Sequence, residues 1–125
     1  MKKTVNIPNA PKPVGPYSQA VIYNDIMYAS GQIAIDPSNG ELKNGSVEIE
    51  LKQILKNIDA LLNAAKLSRE NILKCSIFIK NMDDFELINN IYADYFKEPY
   101  PARETVEVAR LPKDVNVEIS FIAYL

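Results

Sequence analysis

The hydrophobic period of this chain switches between two and about 3.6 residues, and that alternation most constrains what it can fold into. From Ser46 onward, Leu51, Ile54, Leu55, Ile58, Leu61, Leu62 and Ala65 recur at three- and four-residue spacing, with Glu48, Glu50, Lys52, Lys56 and Asp59 off the stripe. The pattern predicts a long amphipathic helix whose charged residues face water. Residues 72–79 return to strand character. Phe85, Ile88, Tyr92, Tyr95 and Phe96 then mark a second helix, ended by Pro99 and Pro101.

The flanking segments read as strands. Residues 17–23 and 26–35 are β-branched, aromatic and apolar, and Asn24-Asp25 between them is a natural two-residue hairpin turn. Residues 9–16 carry Pro11, Pro13 and Pro16, which predicts an extended leading loop with regular structure only after it. Asp36-Pro37-Ser38-Asn39-Gly40 is a second turn, with a short strand expected beyond it. Residues 103–109 and 115–125 supply the last two strands, expected to pair across the connection at 110–114. The order is β-β-β-α-β-α-β-β, an α+β chain with a mixed sheet and both helices on one face. Val115, Val117, Ile119, Phe121 and Ala123 occupy one face of the last strand, yet Ile122 and Tyr124 stand on the other. A freely solvated sheet face does not favour those two, so self-association is expected.

At 125 residues the chain suits one domain spanning 1–125. A net charge of −2 and scattered lysines give no field that would gather nucleic acid. Met1-Lys2-Lys3 is followed by no apolar run, and no stretch approaches bilayer length, so a cytoplasmic protein without a membrane partner is expected. The one cysteine, Cys75, excludes an intramolecular disulfide and reads as a core thiol. With no histidine, Ser-His-Asp and Cys-His mechanisms and histidine metal sites are all excluded. The four glycines form neither GxGxxG nor a P-loop, and no cofactor or metal is expected.

Two ionisable residues carry the candidate chemistry. Arg103 follows Tyr100-Pro101-Ala102 at the start of a strand, where its planar fork of donors suits a carboxylate; a solvated strand-end arginine is the alternative. Glu118 lies inside the apolar stretch Val115-Asn116-Val117-Glu118-Ile119. If partly buried and unpaired its pKa rises, which suits a general base or a group that orients water; a solvated or ion-paired carboxylate remains open. Pairing of the last two strands would bring the two together, within one subunit or across an interface. Tyr17 offers a hydroxyl and an aromatic wall, Ser30-Gly31 places a glycine inside a strand where a bulge or close approach is expected, and Asn89 and Asn90 offer helix amides.

Gly15-Pro16-Tyr17-Ser18-Gln19-Ala20, Ser30-Gly31-Gln32-Ile33, Pro101-Ala102-Arg103, residues 106–114 and Val117-Glu118-Ile119 closely resemble, in order, the RidA (YjgF) family of reactive-intermediate deaminases. The resemblance runs nearly end to end. It implies a chorismate-mutase-like fold, a homotrimer with clefts between subunits, and hydrolysis of reactive enamine and 2-imino acids such as 2-aminoacrylate and 2-iminobutanoate to 2-keto acids and ammonia. It assigns the substrate carboxylate to Arg103, the attacking water to Glu118, and the pocket lining to Tyr17, Ser30, Gly31, Asn89 and the backbone of Thr105. Three departures accompany it: Thr105 stands where many members have cysteine, Glu104 where a small residue is usual, and the stretch before Arg103 is shorter. Strand alternation predicts that Glu104 points away from Arg103. Two other functions remain open on the same scaffold: a non-enzymatic ligand-binding or protein-partner module, and a ribonuclease or translation inhibitor, which the charge disfavours.

Overall fold

The computed structural model describes residues 1–10 and 12–125; Pro11, within the expected leading loop, lies outside the described residues. Six strands and two α-helices follow one another as β1 (Lys3–Val5), β2 (Ala20–Tyr23), β3 (Ile26–Gln32), α1 (Val47–Ala64), β4 (Ile72–Ile79), α2 (Phe85–Tyr95), β5 (Ala102–Glu107) and β6 (Val117–Tyr124). The expected letter order stands, but two of its members differ. Lys3-Thr4-Val5, taken as part of a featureless start, forms β1 against β2, pairing Thr4 with Val21. The short strand expected after Gly40 reduces to a single bridge between Ile35 and Leu42.

The hairpin is as the turn chemistry requires. Asn24 and Asp25 take φ of 50° and 62°, the left-handed pair that lets two strands fold back with matching twist. Helix α1 starts at Ser46, whose hydroxyl accepts the Ile49 N–H at 3.1 Å; an N-cap of this kind contributes about 1 kcal/mol. Its stripe of Leu51, Ile54, Ile58, Leu61 and Leu62 is fully buried, each side chain contributing roughly 1.5–3 kcal/mol by leaving water.

The sheet order is β1-β2-β3-β6-β4-β5. The expected pairing of the last two strands is therefore wrong. Strand β6 lies between β3 and β4, antiparallel to both, while β5 pairs with β4 alone and runs parallel to it. The cause is α2: it carries the chain over the sheet from β4 to β5, as a crossover to a parallel neighbour must, and the segment after β5 then passes back across β4.

Each face of the sheet follows from alternation. Cys75, Ile77 and Ile79 of β4, with Val117, Ile119, Phe121 and Ala123 of β6, are buried on the side covered by the helices. Lys74, Ser76 and Phe78 alternate with them on β4, and Glu118, Ser120 and Ile122 on β6, all only partly covered on the open side. Tyr28 pairs with Ile122 there and is 47% exposed, and Val106 of β5 is 41% exposed. No helix among the described residues is long and apolar enough to cross a membrane.

Candidate functional site

The sequence-marked residues separate into two clusters. Arg103 pairs with Cys75, and Thr105 with Ile77, so both belong to the helix-covered side of β5. There Arg103 Nη1 donates to Asn89 Oδ1 of α2 at 2.7 Å, and the guanidinium lies 4.9 Å from the centre of the Tyr92 ring and 5.7 Å from that of Phe85. Asn89 is thus the helix amide that engages a site residue, whereas Asn90 is exposed. Among the described residues Arg103 has no carboxylate partner, and most of its donor fork remains free. One amide and two aromatic faces orient it, which is the arrangement that presents a planar cation to an incoming anion.

Glu104 does point away. It lies on the open face, where Lys74 Nζ is 3.2 Å from Oε1 and the Ser76 hydroxyl donates to Oε2. The Ser76 bond, then Lys74, hold its carboxyl below the usual range. It therefore does not compete for Arg103. Thr105 is half-buried, and its hydroxyl is buried without a hydrogen-bond partner. Cys75, beneath Arg103, is the core thiol expected: burial pushes it up to about 11, against a smaller opposing pull from Tyr92 and Arg103.

The second cluster sits across the sheet. Glu118 is half-buried on the open face, opposite Phe78 of β4, which in turn pairs with Val106 of β5. Burial alone raises its pKa, as expected for a carboxylate without a cation. Gly31 lies against it: a Cβ built on Gly31 would be 2.6 Å from Glu118 Cδ and 2.8 Å from Oε2. The glycine also coincides with a register shift between Ala29 and Gln32, so the bulge and the close approach foreseen for it are both present. Ser30 donates from Oγ to the Ser18 carbonyl at 2.7 Å, and with Tyr17 lines a shallow cavity of about 360 Å³ that also touches Pro16, Val21 and Tyr28.

Arg103 and Glu118 consequently do not meet within one chain. They belong to opposite faces and are two strands apart. Of the two arrangements left open by the sequence, a cleft inside one subunit is disfavoured by this placement on opposite faces.

A larger cavity of about 1050 Å³ lies elsewhere, near the ends of both helices, and holds none of the residues marked by the sequence as site candidates. Arg69 there is spent on Asp59, at 3.1 and 3.0 Å, and on the Tyr95 carbonyl, at 3.0 Å, and the Tyr95 hydroxyl donates to the same Asp59. That network joins α1, the start of β4 and α2.

Two expected results arise from the Glu118 cluster. Gly31→Ala forces the carboxylate aside because its Cβ requires the space of the side-chain end, so activity drops about tenfold or more while the fold persists. Circular dichroism with initial rates checks both halves. The second concerns pH. A carboxyl whose folded pKa is raised binds more proton folded than unfolded, so stability falls as pH rises from the ordinary carboxylate range through the raised value. Glu118→Gln should match wild type in Tm at acid pH below that window and exceed it above; a difference independent of pH would contradict the burial of the charge.

Sequence reasoning missed Glu50, expected on the solvated face of α1 but 0% exposed, and passed over Asn57 at 4%. A carboxylate in the first helical turn carries no sign of burial, because the same position suits the positive end of the helix dipole in water.

Comparison with known proteins identifies the family and the fold. The sequence model of the family described as Endoribonuclease L-PSP matches residues 7–125. A crystal structure of a Rid family protein from Yersinia pestis superposes with a TM-score of 0.95 at 48% identity, covering 100% of both chains. The structure of TdcF from E. coli with bound serine gives a TM-score of 0.90 at 40% identity, over 98% of each chain. The human 2-iminobutanoate/2-iminopropanoate deaminase is 42% identical over 98% of this chain and 90% of its own length. With near-complete coverage in sequence and in fold, the chain belongs to the Endoribonuclease L-PSP family, the family of the Rid proteins.

Proposed function

We propose that this protein is a hydrolase of reactive 2-imino acids, forming 2-keto acids and ammonia, in a cleft that two copies of the chain build together. Arg103 grips the substrate carboxylate through its free fork, steadied by Asn89, Tyr92 and Phe85. The neighbouring copy's Glu118 orients and deprotonates a water on the far side, with Tyr17, Ser30 and Gly31 of that copy forming the wall and the backbone of Thr105 the floor. The homotrimer typical of the resemblance is the assembly proposed, with a cytoplasmic location.

The chemistry needs little beyond position. A protonated imine carbon is already electrophilic. Water forms the new C–O bond as its proton passes to Glu118, giving a carbinolamine; that proton goes on to nitrogen, and the carbinolamine hydroxyl then gives its own proton back to Glu118 as the C=O forms, the C–N bond breaks and ammonia leaves, taking up that proton as ammonium. A carboxyl whose pKa burial raises holds a proton more firmly than an ordinary one, which suits it to both taking and returning a proton.

The single observation that carries the reading is complementarity across the sheet: an unpaired, oriented cation on one side and an unpaired, partly desolvated carboxylate on the other. The human relative's deaminase activity and the serine bound by the E. coli relative both concern small amino-acid-like carboxylates, which is the ligand class this pair suits.

The test is 2-oxobutanoate release from 2-iminobutanoate generated in situ by a threonine dehydratase. Wild type should exceed the spontaneous rate. An absence of acceleration in a correctly assembled sample would overturn the deaminase and favour a binding module. Salt-dependent RNA cleavage in the same preparation would favour the ribonuclease.

A further inference from the structure

Helix α1 buries two polar side chains on its sheet-facing side, Glu50 and Asn57, and neither has a role in the reaction above. Each makes at least one hydrogen bond to backbone next to the Glu118 cluster. The Asn116 N–H donates to Glu50 Oε1 at 2.9 Å, and Asn116 Nδ2 donates to Oε2. The Asn116 carbonyl in turn accepts the Lys80 N–H at 2.9 Å, which fixes the start of β6 beside the end of β4. Asn57 Nδ2 donates to the carbonyls of Ile33 at 3.2 Å and Ile35 at 2.7 Å, and its Oδ1 accepts from Gln53 at 2.8 Å.

These attachments bracket the reactive region. Asn116 is two residues before Glu118 on β6. Ile33 and Ile35 follow Gly31 by two and four residues, just after the β3 bulge. Gln32 pairs with Ile119, so the two strands resume their pairing immediately past the bulge where the glycine meets the carboxylate. Burying a carboxylate and an amide is costly unless their bonds are made, and here both satisfy main-chain groups that no strand neighbour occupies. The geometry would not need such groups merely to dock a helix, since the leucine and isoleucine stripe already does that.

We propose that Glu50 and Asn57 are positioning residues for Glu118: α1 clamps the end of β3 and the start of β6 so that the Gly31 backbone and the Glu118 carboxylate keep their contact. The inference rests on the reading of Glu118 given above. Arg103 is on the other face and outside the clamp, so substrate gripping and water activation are separable.

The test is steady-state imine hydrolysis with a double-mutant cycle. Glu50→Ala and Asn57→Ala should each lower kcat about tenfold or more while 2-oxobutanoate binding changes less than about twofold, because a displacement near 1 Å is felt in the reacting geometry and not at the arginine. Glu50→Gln should recover most of the rate, since the Asn116 amide can rotate to present its oxygen to the new amide. In a Glu118→Gln background, Glu50→Ala should produce no further loss. If Glu50→Ala does not fold, Asn116→Ala, which removes one of the two bonds, is expected to show the same kcat-only loss and the same silence behind Glu118→Gln. Unchanged kcat, or a loss that persists undiminished in the Glu118→Gln background, overturns the clamp. A fully active Glu118→Gln, or a wild type without acceleration, overturns the reading of Glu118 itself.

Discussion

Arg103→Ala and Glu118→Gln chains, mixed in equal amounts, unfolded and refolded together, should regain about one quarter of wild-type imine hydrolysis, although each refolded alone should stay near the spontaneous rate. The fraction follows from the placement of the two residues on opposite faces. In a cyclic assembly each cleft takes its arginine from one chain and its glutamate from the next. With random mixing, each half of a cleft is intact in about one case of two, so both are intact in about one of four. A cleft inside a single chain gives no recovery, because every chain then carries one defect. Recovery near zero, with mixed oligomers confirmed by mass spectrometry, would exclude the shared cleft.

The second large effect separates gripping from chemistry. Arg103→Ala should lower kcat/KM by about a hundredfold or more and abolish detectable 2-keto acid binding, since a bidentate charge-assisted pair is lost. Arg103→Lys should restore only part of it: an ammonium supplies charge but not the planar fork, nor the same stacking against Tyr92 and Phe85. Glu118→Gln should behave oppositely, with kcat reduced about a hundredfold and keto-acid binding preserved, because the amide keeps the shape but accepts no proton. Isothermal titration with 2-oxobutanoate alongside initial rates distinguishes the two. Parallel losses of binding and turnover in both variants would mean that the roles are not divided as assigned.

The elements that were legible in the sequence are those whose signals are local. Asn24-Asp25 specified a hairpin because its backbone angles belong to that turn, and the change of period from Ser46 marked the start of α1, where the Ser46 hydroxyl accepts the Ile49 N–H. Residues 72–79 were bounded correctly as β4 for the same reason, with period two on one side and breaking residues on the other. Strand adjacency is not local. Nothing in residues 103–125 reports that β4 will insert between β5 and β6; the path of α2 decides it. Arg103 and Glu118 stood out in the sequence as candidates for the chemistry, but their separation onto two faces depends on that adjacency. Glu50 failed for a further reason: its burial is worthwhile only because Asn116, distant in the chain, arrives with two donors.

The edge position of β5 has a bearing on solubility. An outermost strand offers unpaired main-chain groups to any other chain, and a flat apolar edge would invite uncontrolled sheet extension. This edge carries Arg103, Glu104 and Glu107 within six residues and follows Pro99 and Pro101. A foreign strand laid along it would have to desolvate those charges against its own side chains and would find prolines where the ladder should begin. The arginine proposed to grip a carboxylate would thus also help keep the edge of the sheet from becoming the seed of a fibre.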